Sequence, residues 1–255
     1  MAIVQLYQDQ HLLAYLKPPL MHSVPGENPE SFVELIKSNF KLNDFNKGHP
    51  EAGIINRLDY ETSGIILAAK SKEVFDKLKI YTKQNLIQKN YVFLSDKTID
   101  RKTACELSIG SRNRKSNFVR AKLVARNKDR LTPARTVFDK IASTSDLSLN
   151  LLEATIYQGQ RHQIRVHAKE IRCPLINDSK YGGTVHQEVP NIIFILHNIR
   201  CEFNHPVTDK LTVIWADFDA KVLEFIKKFN WVFDYKSNNL EQNINIQEYI
   251  RSKLL

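Results

Sequence analysis

Three short stretches hold residue types that can do chemistry. The first is Asn56-Arg57-Leu58-Asp59-Tyr60-Glu61-Thr62-Ser63-Gly64, with an acid and a base two positions apart just ahead of an apolar run. Asp59 can act there as a nucleophile or a general base. Asp also commonly bonds backbone amides in a tight turn, and local chemistry leaves both readings open. The second runs from Gly159 to His167 (GQRHQIRVH) and packs two arginines and two histidines into seven residues. His162 and His167 are five apart, which misaligns them on a helix face and disfavours a zinc site of the HExxH kind. Arg165 on a helix can face a buried carboxylate and hold it ionised. Without further context, an exposed basic helix face is the more ordinary reading of that stretch. The third is Lys89-Asn90-Tyr91 at the head of an apolar run, where a tyrosine usually packs in the core with its hydroxyl at the rim.

Elements of mixed type must position these groups. Residues 3–7 and 12–16 read as short strands stopped at Lys17-Pro18-Pro19. Residues 30–40 read as a helix, 65–69 as a buried strand, and Ser71 as the cap of a helix carrying Val74, Leu78 and Tyr81 on one face. Strands are expected at 91–94, 137–141 and 147–156, and a helix at 162–172 ending before Pro174. The run Ile192–Leu196 reads as a further strand, and 199–203 with 211–215 as a hairpin around Asn204-His205-Pro206-Val207-Thr208-Asp209. A last amphipathic helix uses Val222, Ile226 and Phe229, and a polar tail follows with one short helix near its end. Elements mixed in this way favour an α+β domain around a largely antiparallel sheet.

Composition narrows the partner. Hydrophobic residues at 42% and charged residues at 25% are ordinary for a soluble globular protein. No apolar run approaches the ~20 residues that span a bilayer. The start, MAIVQLYQDQ, lacks the form of a secretion signal, so a cytoplasmic protein is expected. Three widely spaced cysteines, none in a CxxC pair, support neither a disulfide framework nor a zinc site. Charge is uneven. Residues 101–130 hold ten basic residues against two acidic ones, so this segment carries +8 of the chain's +9. Such concentration suits a polyanion, with a solvated face as the alternative. Membrane-surface binding is disfavoured, since the segment has no sustained amphipathic stripe.

In order and spacing, the three stretches together resemble the active-site motifs of the RluA-type pseudouridine synthases, an HRLD-x-x-TSG-like loop, then K-x-Y, then GR-x-HQ-[IL]-R-x-H. They stand here as NRLDYETSGIILAAKS, QKNYVFLS and GQRHQIRVHAKEIRCPLINDSKYGG. The likeness extends to LYQDQHLLAYLKPPLMHSV and LHNIRCEFNHPVTDKLTVIWA, and covers roughly residues 3 to 230. Departures are Asn56 for the usual His, Gln160 for the first Arg, and Asn177 for a common Gly before Asp178.

The resemblance implies the pseudouridine-synthase fold, a bent, mixed and mostly antiparallel sheet with flanking helices and a central cleft. It implies isomerisation of uridine in structured rRNA or tRNA, with no cofactor or metal. Asp59 would start the chemistry, Arg165 would pair with it and keep it anionic, and Tyr91 would stack on the uracil and, in a perturbed site, help remove a proton. Arg57 would fill the space left by a flipped base, with Leu58, His162 and Ile164 shaping the substrate pocket. Residues 1–235 are expected to form the catalytic domain and 236–255 the polar tail, in a monomer without a separate N-terminal RNA-binding domain. RNA affinity then falls to the basic segment, with Arg112, Arg114 and Lys115 as phosphate contacts. The rivals are a catalytically silent RNA-binding protein on the same fold and a nucleoside or glycosidic-bond hydrolase, the latter a poor fit to one motif carboxylate.

Replacing Arg112, Arg114 and Lys115 together with Gln is expected to weaken binding to all RNA sequences alike. The log–log salt slope should flatten by roughly 0.7–0.9 per lost contact, with single-turnover rates at saturating RNA unchanged. An unchanged slope would make the cluster a solvated face.

Overall fold

In the computed structural model the described residues are 3–26, 30–111, 119–122, 130–146, 148–186, 194–233 and 246–254. Near the start, β1 (Val4–Gln8) pairs antiparallel with β2 (Leu12–Lys17), and helices α1 (Phe32–Asn39) and α2 (Asp44–Gly48) follow. Next come β3 (Ser63–Ala69) and α3 (Lys72–Lys83). Side-chain oxygens of Ser31, Asn43 and Ser71 accept from backbone N–H groups at the three helix starts, as capping residues do.

All seven residues of β3 are buried, because a helix covers each face. Strand side chains alternate. Ile66 and Ala68 join the cluster that holds Phe32, Val33 and Ile36 of α1, whereas Ile65, Leu67 and Ala69 join Val74 and Leu78 of α3.

The remaining elements are β4 (Gln88–Ser95), β5 (Thr103–Cys105), β6 (Ser108–Ser111), β7 (Arg120–Lys122), β8 (Arg130–Thr132), β9 (Thr136–Thr144), β10 (Asn150–Ile156), α4 (Gln163–Glu170), β11 (Leu196–Asn204), β12 (Leu211–Trp215), α5 (Ala220–Lys227), β13 (Trp231–Phe233) and α6 (Ile246–Leu254). Ten strands form one sheet in the order β1-β2-β3-β11-β4-β10-β9-β13, with β12 on β11 and β5 on β9. Every pairing in it is antiparallel except β3 with β11. The α+β class and the mostly antiparallel sheet agree with expectation.

The β3–β11 join is short, with His197 opposite Ser63 and Asn198 opposite Gly64. Gly64 has φ +115°, and a Cβ there would stand 2.3 Å from the Asn198 carbonyl oxygen. Glycine is therefore required for the two backbones to meet just after the Asp59 loop.

Several local expectations need correction. The run Ile192–Leu196 is not a strand of its own: residues 191–193 lie outside the described residues, Phe194 and Ile195 precede the strand, and β11 begins at Leu196. The separate strand expected at 199–203 is part of that same β11, whose register with β4 shifts between Asn198 and Arg200. The basic segment, for which no strand was expected, contributes β5 to the main sheet and β6, β7 and β8 to a small sheet ordered β7-β6-β8. Strands of three or four residues are too short to impose a period on the sequence. Arg112, Arg114 and Lys115 lie outside the described residues.

In the C-terminal region, α5 ends before Phe229, and β13 follows it onto β9. Helix α6 packs on α5, with Ile250 buried and the Tyr249 ring stacked 4.3 Å from that of Trp215. Among the described residues no helix is long and apolar enough to cross a membrane.

Gly64→Ala is expected to destabilise the fold by more than about 1 kcal/mol, since it adds a strained φ and a backbone clash. Urea denaturation checks this; a parental midpoint would mean that the β3–β11 join yields readily.

Candidate active site

Asp59 sits on a loop pinned at several points. Ser23 Oγ accepts from the Leu58 N–H at 2.9 Å and donates to the Leu58 carbonyl at 2.8 Å. The Tyr60 carbonyl accepts from the Met21 N–H at 3.0 Å and from Lys17 Nζ at 3.4 Å, while the Thr62 N–H donates to the Asp59 carbonyl at 3.1 Å. Asn56 accepts from Leu67 N–H at 2.9 Å and donates to the Ile65 carbonyl at 3.0 Å, so its amide completes backbone pairing beside β3. Buried Lys17 closes the loop from below, and burial brings its pKa down to about 7, with the Asp59 and Glu61 charges opposing the fall.

Helix α4 brings the second half of the site, and it is not an exposed basic face. Every residue from Gln163 to Ala168 is buried. Gln163 donates to the Arg135 carbonyl at 3.0 Å and accepts from the Gln160 N–H at 3.1 Å. His167 bridges Thr136 Oγ1 at 2.9 Å and the Leu107 carbonyl at 2.9 Å. Such polar residues tolerate burial because each has a partner.

Arg165 is 1% exposed, with its guanidinium carbon 4.3 Å from the Phe194 ring centre and 5.1 Å from that of Tyr181. Its Nε and Nη2 donate to the two oxygens of Asp178 at 2.7 and 2.8 Å. The remaining Nη1 has no hydrogen-bond partner and faces Asp59 Oδ2 and Glu61 Oε2, each at 3.8 Å. The expected pairing of Arg165 with Asp59 is present as an ion pair at 3.8 Å without a hydrogen bond. The forked, bidentate bond goes to Asp178, whose two oxygens accept from Nε and Nη2, and Asp59 is held at longer range.

Burial raises the Asp59 pKa above the usual carboxylate value. The charges of Arg165, Arg161 and Lys17 oppose that rise, and Glu61 adds to it. A carboxylate in this balance is poorly solvated yet faces a cation, which makes it reactive when ionised. Tyr91 moves the other way from a base. Burial pushes its phenol well above 10, with Cys201 and Asp59 adding to the rise, so the hydroxyl stays protonated at neutral pH. A phenol held protonated in this way does not support the expected help in proton removal.

A small, partly open cleft joins these groups. Arg57, Leu58, Asp59, Tyr91, His162, Ile164 and Arg165, all singled out from the sequence, line it. Arg57 is mostly exposed at its edge and forms an ion pair with Glu51. Asp178, Glu61, Lys17 and Tyr181 were not singled out. Asp178, Glu61 and Tyr181 stand inside the quoted motifs, but nothing local reveals that they meet Arg165. Among the described residues no group of three or more His, Cys, Asp or Glu is placed to hold a metal ion.

Residues 11–170 match the profile of the RNA pseudouridylate synthase family. The chain belongs to that family. Among relatives, an uncharacterised RNA pseudouridine synthase of Helicobacter pylori is 28% identical over 97% of this chain and 74% of its own length. A tRNA pseudouridine synthase C of Yersinia pestis is 27% identical over 89% of this chain and 90% of its own. A ribosomal large subunit pseudouridine synthase C of Rickettsia felis is 29% identical over 77% of this chain and 61% of its own. In fold, the chain is similar to human RNA pseudouridylate synthase domain containing 1, with a TM-score of 0.71 at 15% identity, covering 99% of this chain and 94% of that one.

Departures from the usual motifs of this synthase family have local explanations. Asn56 serves backbone pairing beside β3, and Asn177 takes a left-handed φ of 62° that Asn, like Gly, adopts more readily than other residues. Gln160 lines the cleft without a charge.

Arg165→Met is expected to leave Asp178 buried without its partner and to destabilise the fold by about 3–5 kcal/mol. Arg165 lowers the Asp59 pKa, so its loss raises that pKa further, and residual activity should shift to higher pH. Urea denaturation and a pH–rate profile check the two effects. Parental stability with an unshifted profile would remove Arg165 from both roles.

Proposed function

We propose that this chain isomerises uridine to pseudouridine in structured rRNA or tRNA, with Asp59 as the catalytic carboxylate. The observation that carries the reading is the cleft in which Asp59 faces the unpartnered Arg165 Nη1, with Tyr91 also lining it. Family membership and relatives named for ribosomal and tRNA work support it.

The reaction breaks the N1–C1′ bond, turns the uracil and joins C5 to C1′. The C5 proton is lost and N1 gains one, so atoms balance without redox change. Asp59 starts this by attacking the sugar or the base, or by assisting departure of the base. Arg165 supports the anionic form, and Thr62, whose buried Oγ1 has no hydrogen-bond partner, adds a second unpaired polar group to the cleft lining. The Tyr91 ring offers the uracil a stacking surface, and its hydroxyl, protonated at neutral pH, can donate or accept a hydrogen bond without acting as a base. A uridine in a helix must be flipped out at a cost of a few kcal/mol, and Arg57 at the cleft edge is placed to fill the vacated space. The small basic sheet and its connecting segments supply phosphate contacts. The enzyme works in the cytoplasm as a monomer and needs neither metal nor cofactor.

Asp59→Asn keeps the side-chain shape and removes the ionisable group. It should cost at least about a hundredfold in turnover and little in RNA affinity. The assay is tritium release from C5 of uridine in RNA, with the base retained in the chain. Free uracil that still carries its tritium would indicate a hydrolase, neither tritium release nor free uracil from the parent would indicate a silent binder, and near-parental turnover of Asp59→Asn would end the assignment.

A further inference from the structure

Two buried side chains beside the cleft, His162 and Tyr181, have no step in the reaction outlined above. His162 precedes α4 with a left-handed φ of 54°, and its side chain makes no capping bond to the helix. A non-glycine residue held in that conformation carries strain of about 1–3 kcal/mol. Its imidazole is spent elsewhere. Nδ1 lies 2.8 Å from Tyr181 Oη, the two rings meet edge to face, and Nε2 stands 4.0 Å from Asp59 Oδ2.

The ring is neutral. Burial pushes its pKa down to about 3, with the charges of Arg165, Arg161 and Lys180 adding to the fall. A neutral imidazole carries one N–H and one bare nitrogen, and a neighbour decides which is which. That neighbour is Tyr181. Its Oη accepts from the Val119 backbone N–H at 3.3 Å, so one lone pair is occupied. Tyr181 is 3% exposed, and its own hydroxyl hydrogen needs an acceptor. His162 Nδ1 supplies one, which leaves the imidazole hydrogen on Nε2, turned toward Asp59.

We propose that Tyr181 is a positioning residue whose hydroxyl fixes His162 in the Nε2–H form, so that a neutral donor faces the proposed catalytic carboxylate. The chain of contacts runs from Val119, at the head of β7, through Tyr181 and His162 to Asp59. The last gap is too long for a hydrogen bond, and an approach of about 1 Å with RNA bound would form one. A neutral N–H then orients the carboxylate without adding positive charge to a pocket that already holds Arg165. This part of the inference rests on the reaction proposed above, whereas the tautomer does not.

Tyr181→Phe tests it, because the ring that packs on His162 and Arg165 is kept while the hydroxyl is lost. Nitrogen-15 spectra of histidine-labelled, RNA-free protein should show His162 with Nε2 protonated and Nδ1 bare. In Tyr181→Phe the two shifts should move toward a tautomer mixture. Single-turnover tritium release at saturating RNA should fall on the order of tenfold, as for loss of one orienting hydrogen bond, with RNA affinity unchanged. His162→Ala should lose at least as much, and adding Tyr181→Phe to it should cost nothing further. A parent with Nδ1 protonated, a Tyr181→Phe rate equal to the parent's, or losses that multiply in the double variant would each overturn the proposal. A parent that releases no tritium would overturn the reaction and the link to it, and the nitrogen shifts would still judge the tautomer.

Discussion

A guanidinium taken out of water sets the terms for the rest of this molecule. Arg165 is almost fully buried, and an unpaired charge in that position would cost several kcal/mol. Asp178 offsets much of that cost through two short hydrogen bonds, and the faces of Phe194 and Tyr181 flank the cation. These partners come from the segments after α4, so that region must fold back over the helix. Gly183 permits one tight contact in the return, since a Cβ there would stand 1.8 Å from the Leu175 carbonyl oxygen. The third guanidinium nitrogen is left over and faces the loop that carries Asp59 and Glu61. The ion pair with Asp178 is thus structural, and the same cation faces two further carboxylates on its other side.

Asp59 inherits its properties from that arrangement. Its loop lies between β2 and β3 in the first part of the chain, whereas Arg165 comes from the second. The parallel β3–β11 contact joins these parts within the sheet, and Gly64 allows it. Burial raises the carboxyl pKa, the nearby cations pull it back, and Glu61 shares the same guanidinium. The outcome is a carboxyl group whose pKa lies above the usual carboxylate value while a cation faces it, which ordinary solvent exposure would not produce.

Buried histidines around the site serve as neutral connectors. His167 ties Thr136 to the Leu107 carbonyl, His197 ties Ser63 to the Ala216 carbonyl, and His162 meets Tyr181. Burial lowers the pKa of each, so none brings a charge at neutral pH. The charges that act on Asp59 come instead from Arg165, Arg161, Lys17 and Glu61.

Much of this could be read along the chain. Ser71 before Val74, Leu78 and Tyr81 announced α3, and Asn204 to Asp209 announced the β11–β12 turn, because caps and turns are written in adjacent residues. The three motifs, by order and spacing, indicated the family and placed Asp59, Tyr91 and Arg165 in one site. Other features had no local signature. Phe194 and Ile195 look like strand residues, yet they lie in the core ahead of β11, since an apolar run reports burial and not the pairing that makes a strand. The GQRHQIRVH stretch looked like an exposed basic face because its acceptors, Asp178, Thr136 and the Leu107 carbonyl, come from other parts of the chain. Sequence by itself determined the reacting types, their order and most elements near them. Tertiary structure alone decided that Arg165 bonds Asp178 and only faces Asp59, and that Tyr181 meets His162, because hydrogen bonds depend on distance and direction in space.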